Sequence, residues 1–397
     1  MIISLVMSDS NEVTSLLFDT PELGDAEKAV ISEIDALHES LRIRLRTTSR
    51  WNGSLRRAQF TRAVQGSNSI EGYNAALDDA AAIELGVEPL DADEETRLAI
   101  KGYADAMTYV LQLHQEPDFH FGEQLVKSLH FMMLNYDLRK RPGLWRTGAI
   151  WIESEPDGEI VYEGPDVEGV PGLMHTLVKR LDRRVEEYPV VAAAMAHLNL
   201  VMIHPFADGN GRMARCLQSL VLARSGVLSP VFCSVEEYLG ANAQQYYDVL
   251  ARVGQGRWNP QNDARPWLRF MLTAHVRQAK TTIRRAQEAE RIWLELDRLV
   301  AASNVNPRSS SALYNAMLGY RLRNATYRAT VASEGEEISE PAATRDLKQL
   351  LEAGLLVAHG EKRGRYYVAG EVLKTFNREV RKTRLPRDDS DPFANAP

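Results

Sequence analysis

Twelve residues near the middle of the chain, His204-Pro205-Phe206-Ala207-Asp208-Gly209-Asn210-Gly211-Arg212-Met213-Ala214-Arg215, restrict the fold more than any other stretch. Pro205 disfavours the helical conformation at the residue before it, so the apolar helix read over residues 190–203 has to end at His204. Gly209, Asn210 and Gly211 tolerate left-handed backbone angles, and successive N–H groups in such a turn converge into a concave anion-binding nest. The helix that follows, from Gly211 to about residue 224, aims its positive end into the same space. Arg212 and Arg215 are three residues apart and share a face of its first turn. The sequence therefore predicts a helix, a polyphosphate-binding turn and a second helix.

The remaining groups of the stretch carry chemistry. Asp208 stands beside the nest, where one carboxylate completed by phosphate oxygens and waters is a normal shell for Mg²⁺. His204 is placed to take a proton from a nucleophile attacking a phosphate in the nest, and imidazole suits a general base near neutrality. If the substrate brings its own hydroxyl, no cysteine or serine nucleophile is needed. The reaction is then direct in-line transfer of a phosphate-containing group, driven by positioning and charge stabilisation. Taken singly, each residue has a plainer reading: Asp208 as an N-cap, Asn210 as a left-handed turn residue, Arg212 and Arg215 as surface charges, His204 as structural. A structural turn has no use for so many special residues together.

Composition sets the surroundings of this site. With 397 residues the chain holds two or three domains, and 47 basic against 54 acidic residues give a net charge of −7. An acidic balance offers no general attraction to nucleic acid or an anionic membrane, so such a partner needs a local patch. Two cysteines, Cys216 and Cys233, make neither a disulfide framework nor a zinc site. The N-terminal apolar run of seven residues lacks a basic flank, and no stretch reaches the uninterrupted apolar length of a bilayer span. A cytoplasmic location with no membrane partner is the expectation.

The rest of the chain reads as mainly α. A flexible start to about Leu17 precedes helical periodicity over residues 25–45, a basic segment over 51–70 closed by Gly72, and helices over 93–112 and 121–136. Residues 141–165 alternate around Pro156-Asp157-Gly158 and predict a β-hairpin. Helices follow over 170–185, 235–253 and 266–301. Residues 338–356 read as helix, turn and helix, and 357–370 as two strands around a basic tip, an order that resembles a winged helix-turn-helix. Arg345 and Lys348 on its recognition helix, with Lys362, Arg363 and Arg365 in the wing, are the expected DNA contacts, although the net charge over 308–370 is only +2 and a protein partner is the alternative. The expected domains are 1–115, 116–256, connecting helices over 257–304, the winged helix over 305–372, and a disordered tail over 373–397, Pro, Asp and Asn rich from Thr383.

The twelve-residue stretch resembles the Fic family, whose signature HPFx(D/E)GNGRxxR it matches in full. The likeness extends over roughly 121–256, through His130 in KSLHFMM, the PGLWR and hairpin segment, His197, and Asn242 with Tyr246-Tyr247. It implies a helical Fic-type core with a β-hairpin flap that docks the target's backbone. It also implies transfer of AMP from Mg-ATP to a Ser, Thr or Tyr hydroxyl of a protein target, and of the protein itself, with release of pyrophosphate. Position by position, the resemblance makes His204 the base, Asp208 the Mg²⁺ ligand, Gly209, Asn210 and Gly211 the phosphate cradle, and Arg212 and Arg215 the holders of the phosphate chain. Phe206 anchors the loop. Asn242 and Tyr246 line the nucleoside pocket, with plain packing as the alternative for Tyr246. Ile150, Trp151 and Ile152 form the flap, or an ordinary edge strand. His130 and His197 are read as core histidines, and a homodimer is a further expectation.

Ser67-Asn68-Ser69-Ile70-Glu71-Gly72 also fits the (S/T)xxxE(G/N) pattern that Fic proteins use for self-inhibition, which implies an inhibitory helix near 57–72 upstream of the core. Physics gives this independent sense. Ser67 and Glu71 share a helix face, and Gly72 leaves Glu71 in the last turn, where a carboxylate gains from a cationic partner. Arg215 is the candidate, and its capture would turn ATP into an unproductive pose. Two alternatives stand: a DNA-binding regulator with an ancillary Fic core, and a Fic enzyme that transfers another nucleotide or phosphate-linked group or removes AMP.

Overall fold

The computed structural model describes residues 16–46, 50–113, 115–153, 158–183, 188–226, 228–384 and 386–394. Two consecutive helices, Pro189–Ile203 and Asn210–Ser225, form its centre. The first is apolar on all sides and is buried on all sides, as a helix without a polar face must be. Helices Glu94–Leu113, Glu123–Leu134 and Val170–Asp182 pack around the pair. A 38-residue helix, Arg265–Ala302, runs along it as a spine, with Trp267 Nε1 donating to Ala194 O at 2.8 Å. Among the described residues no single helix is long and apolar enough to cross a membrane.

The hairpin forms from Trp151–Glu153 and Ile160–Glu163, antiparallel. Residues 154–157 lie outside the described residues, and with them Pro156 and Asp157 of the expected turn. A third strand that the sequence reading missed, Gly256–Arg257, adds parallel to Ile160–Glu163. The inner face is pinned where Tyr162 Oη donates to Met202 O at 2.7 Å, just before the loop.

Four expectations are corrected. The single helix read over 235–253 is two, Glu236–Ala241 and Ala243–Gly254, broken at Asn242, whose amide donates to Tyr238 O at 2.7 Å in competition with the helix ladder. The 338–356 stretch holds one helix, Glu340–Glu352. Pro341 stands in its first turn, where a missing N–H costs nothing, and its neighbour is the upstream helix Asn324–Ser333. Strands Leu356–His359 and Tyr366–Ala369 follow as a hairpin. The described residues of the tail, 373–384 and 386–394, are ordered rather than disordered: Leu373 and Val380 of helix Glu371–Lys382 are buried, and Phe393 is buried beneath Arg269. Charges that composition reads as solvated find partners on the spine, Arg384 on Glu288 at 2.6 Å and Asp388 on Lys280 at 2.8 Å. Finally, Leu17 and Phe18, at the edge of the expected flexible start, are buried, and Phe18 N–H donates to Asn199 at 2.9 Å. Residues 1–15 lie outside the described residues.

Helix Arg50–Ile70 lies between the central pair and the C-terminal unit. It touches the latter through an ion pair of Arg57 with Glu334 and through Arg50 donating to Pro307 O at 3.1 Å. Arg321 clamps the next helix, Leu77–Glu84, by pairing with Asp78.

Candidate active site

The loop between the two central helices is held by groups that leave it little freedom. His204 takes φ 51°, an uncommon angle for a side-chain-bearing residue, and ends its helix there. The Asn210 side chain reaches back over the turn, accepting from Phe206 N–H and donating to Phe206 O, both at 2.9 Å. Asn210 therefore braces the cradle rather than offering its amide to a ligand. Gly209 has φ 76°, and a Cβ there would lie 2.5 Å from Leu134. His130 stacks on Phe206 with ring centroids 3.6 Å apart. Its Nδ1 accepts from Gly143 N–H at 2.8 Å, so Nε2 carries the proton and donates to Asp208 O at 2.9 Å. Burial pushes the His130 pKa down to about 4 and keeps the ring neutral. From the flap side, buried Arg146 donates through Nε to His204 O at 2.9 Å.

This scaffold fixes the reactive groups. His204 Nδ1 donates to Val201 O at 3.0 Å, which leaves the Nε2 lone pair as the free acceptor. Burial holds the imidazole below its ordinary pKa, so it is neutral at pH 7. Asp208 Oδ1 accepts from Gly209 N–H at 2.6 Å, and Oδ2 lies 2.9 Å from Lys140 Nζ. Burial works to raise the Asp208 pKa, but the Lys140 ammonium, the Arg212 charge and the Gly209 N–H together outweigh it and hold the carboxyl below its ordinary value. Lys140 also donates to Tyr73 Oη at 3.1 Å.

Arg212 and Arg215 are both buried, and each meets the segment upstream. Arg215 donates through Nε to Ser67 Oγ at 2.8 Å, and through Nη2 to Ser67 O at 3.0 Å and Glu71 Oε1 at 2.5 Å. Arg212 lies over the Tyr73 ring, 5.0 Å from its centroid. Glu71 sits so close to the helix start that a Cβ on Gly211 would fall 2.4 Å from Oε1. Among the described residues, Nε and Nη1 of Arg212 and Nη1 of Arg215 are buried with no hydrogen-bond partner. Buried donors without partners are rare, and here they flank the unpaired N–H groups of a helix N-terminus, a donor set that fits a phosphate chain. No three His, Cys, Asp or Glu side chains converge among the described residues, so Asp208 is a single carboxylate. That suits a hard cation that arrives with phosphate oxygens and waters as its other ligands.

Other expected site residues lie elsewhere. Tyr246 is buried, with its hydroxyl 3.0 Å from His197 Nε2 and its ring 6.0 Å from the Arg215 guanidinium. It is packed in the core, as in the plainer of its two readings. The Asn242 amide nitrogen is likewise committed, to the broken helix. His197, pushed to a pKa of about 3 by burial, supports Tyr246 and Gln218 as a core histidine. The neighbour of Tyr246, Tyr247, is the half-exposed one, and its hydroxyl donates to Ile70 O at 2.8 Å. In the hairpin, Trp151 is exposed while Ile150 and Ile152 are half-buried. Arg345 and Lys348 are exposed on helix Glu340–Glu352, with Lys348 3.5 Å from Glu352. Lys362 and Arg365 are exposed at the hairpin tip, where the Arg363 side chain lies outside the described residues. Lys140 and Tyr73 were missed by the sequence reading, and Tyr247 was named there without a role. Gly72-Tyr73 adjoining the brake pattern was the one available signal.

Residues 120–222 match the Fic/DOC family. Protein adenylyltransferase Fic of Drosophila melanogaster is 30% identical over 251 residues, 60% of this chain and 43% of that relative. The same-named protein of Aedes aegypti is 29% identical over 240 residues, 57% of this chain and 43% of that relative. The chain thus spans less than half the length of these curated relatives. Among solved structures, a Fic family protein from Desulfovibrio desulfuricans G20 aligns with TM-score 0.56 at 22% identity, covering 89% of this chain and 98% of that one. A Fic domain containing signaling protein from Bacteroides thetaiotaomicron aligns with TM-score 0.52 at 22% identity, covering 66% and 97%. The fold around the loop is the Fic fold.

Proposed function

We propose that this protein is a protein adenylyltransferase that moves AMP from Mg-ATP to a Ser, Thr or Tyr hydroxyl and is restrained by its own Glu71. The observation that carries the reading is the pair of buried arginines, Arg212 and Arg215, with unpartnered donors facing the helix N-terminus beside a neutral His204. The target hydroxyl attacks the α-phosphorus, its proton passes to His204 Nε2, and the bond to the pyrophosphate oxygen breaks. Arg212, Arg215 and the loop N–H groups take up the charge that develops on the leaving pyrophosphate. When bound through Asp208, Mg²⁺ would neutralise part of the phosphate charge, and Lys140 has to yield its contact with Oδ2 as it does so. The half-exposed hairpin edge offers the backbone on which a target segment aligns.

The restraint acts on both arginines. Glu71 and Ser67 occupy Arg215, and Tyr73 covers Arg212, so the phosphate chain cannot gain its full set of donors while the segment stays in place. Incubation with α-labelled ATP and Mg²⁺ tests both parts: label should enter protein, and enter it faster in Glu71→Gly. Absence of label from both proteins would reject the transferase reading.

A second reading rests on Arg345 and Lys348, exposed side by side on a helix that follows another helix and precedes a basic-tipped hairpin. It treats the C-terminal unit as a winged helix that binds DNA and places the site under a DNA-borne partner. The full chain should shift duplex DNA with an affinity that falls as salt rises, and Arg345→Ala with Lys348→Ala should lower that slope by about 2. Binding that ignores both substitutions would reject it.

A further inference from the structure

A second set of crowded cations lies away from the loop. Helix Arg265–Ala302 carries Arg277, Lys280, Arg284 and Arg291 at spacings of three, four and seven residues, hence along one face. The chain beyond helix Glu371–Lys382 brings Arg384 and Arg387 against it. These six side chains line a cavity of about 270 Å³ whose only acidic lining residues, among the described residues, are Glu288 and Asp388. The acids are already engaged: Glu288 accepts from Arg384 through both oxygens, at 2.6 and 2.7 Å, and Asp388 pairs with Lys280 at 2.8 Å. Outside the cavity, Glu33 adds to Lys280 and Asp389 pairs with Arg387.

Three guanidinium groups are left without a carboxylate within ion-pair distance among the described residues. Arg277 donates to the Tyr238 hydroxyl at 3.3 Å and to Asp389 O at 2.6 Å, and Arg291 to the Thr383 hydroxyl at 2.8 Å. Arg284 is the most exposed to its neighbours' charge. Its Nε is buried with no hydrogen-bond partner, and burial together with Arg384, Arg285 and Arg387 pushes its pKa down, with Glu288 only partly opposing them. The Arg277 Nε is likewise buried and unpartnered. The acidic end of the chain does not resolve this excess, because Asp388 and Asp389 are spent on Lys280 and Arg387, and Asp391 on the Phe393 N–H.

We propose that this cavity binds a small, multiply charged phosphate anion, held by Arg284 and Arg291 from the spine and Arg387 from the C-terminal segment. Guanidinium forks match phosphate oxygens in pairs, and an anion at this point cancels the repulsion that the protein's own carboxylates leave standing. The cavity shares no residue with the loop at His204–Arg215, so it is a separate site from that of the proposed transferase reaction.

Peptide-resolved hydrogen exchange on the full chain, with inorganic pyrophosphate against sodium chloride at matched ionic strength, tests this. With pyrophosphate at about twice its Kd, exchange across residues 371–394 should slow about threefold, the protection that binding linkage gives at that ratio. Arg284→Gln combined with Arg291→Gln should remove this slowing while leaving any response at residues 204–215 unchanged. No slowing beyond the chloride control, or slowing that survives in the double variant, would overturn the proposal. Arg284→Gln alone should melt no lower than wild type in phosphate-free buffer, since it relieves like-charge repulsion, and should gain less from pyrophosphate. A lower melting temperature without phosphate would mark Arg284 as a structural residue and overturn it too.

Discussion

The loop at His204–Arg215 and the segment at Ser67–Tyr73 meet across the same two arginines, yet they are held in different ways. The loop is tied to its surroundings by buried groups that bind its backbone: Asn210 on Phe206, His130 on Asp208 O, Arg146 on His204 O. The upstream segment also has backbone ties, Arg215 donating to Ser67 O and Tyr247 to Ile70 O, but it blocks the two arginines through side chains, Glu71 on Arg215 and Tyr73 over Arg212, and Glu71 keeps 23% of its side-chain surface exposed. A tie to the backbone survives substitution of the residue it holds; a tie between side chains is lost with the residue that makes it. The difference marks the loop as machinery and the segment as a removable restraint.

That contrast can be broken from either side. The largest effect is expected from the loop: His204→Ala should lower AMP transfer about 10²- to 10⁴-fold, the usual contribution of a positioned base, while nucleotide affinity measured by calorimetry stays close to wild type. Retained transfer would remove His204 from the mechanism. Next comes the restraint. A charge-assisted contact such as Glu71 to Arg215 is worth about 1.5–3 kcal/mol, so Glu71→Gly should raise initial rates of label incorporation roughly 10- to 100-fold. Tyr73→Ala removes a cation–π contact of about 0.5–1 kcal/mol and should raise them about two- to fivefold. An unchanged rate in Tyr73→Ala would confine the restraint to Glu71.

The smallest expected effect is on pH dependence. His204 accepts a proton only when neutral, and its pKa is lowered from 6.5, so activity should persist as pH falls past that value and decline only below it. Glu71 draws the same pKa upward, partly opposing burial. The acid limb of kcat/KM should therefore lie lower in Glu71→Gly than in wild type. A limb that moves upward in the variant would contradict the placement of Glu71 near the imidazole.

How legible each part was follows from what encodes it. Pro205 and the glycines around Asn210 act on backbone angles locally, so the helix end, the turn and the following helix could all be read in order, and the Ser67 and Glu71 spacing could be read in the same way. Lys140 could not. It is one basic residue among several in LRKR, and only the fold brings it from 68 positions away to Asp208. The two readings of Tyr246 stayed open for the same reason, since its partner His197 lies 49 positions upstream. The C-terminal tail was misread because composition counts its charges without the spine residues that pair with them. The helix break at Asn242 depended on one side-chain bond to Tyr238, a local competition that periodicity does not register.

The central claim is that the segment restrains a working transferase by holding Arg215. It is tested most directly by label incorporation from α-labelled ATP with Mg²⁺ in three proteins assayed side by side: wild type, Glu71→Gly, and Glu71→Gly combined with His204→Ala. A low rate in the first, a roughly 10- to 100-fold rise in the second and its loss in the third are expected. Equal rates in wild type and Glu71→Gly, with both above the double variant, would contradict the restraint while leaving the transferase standing.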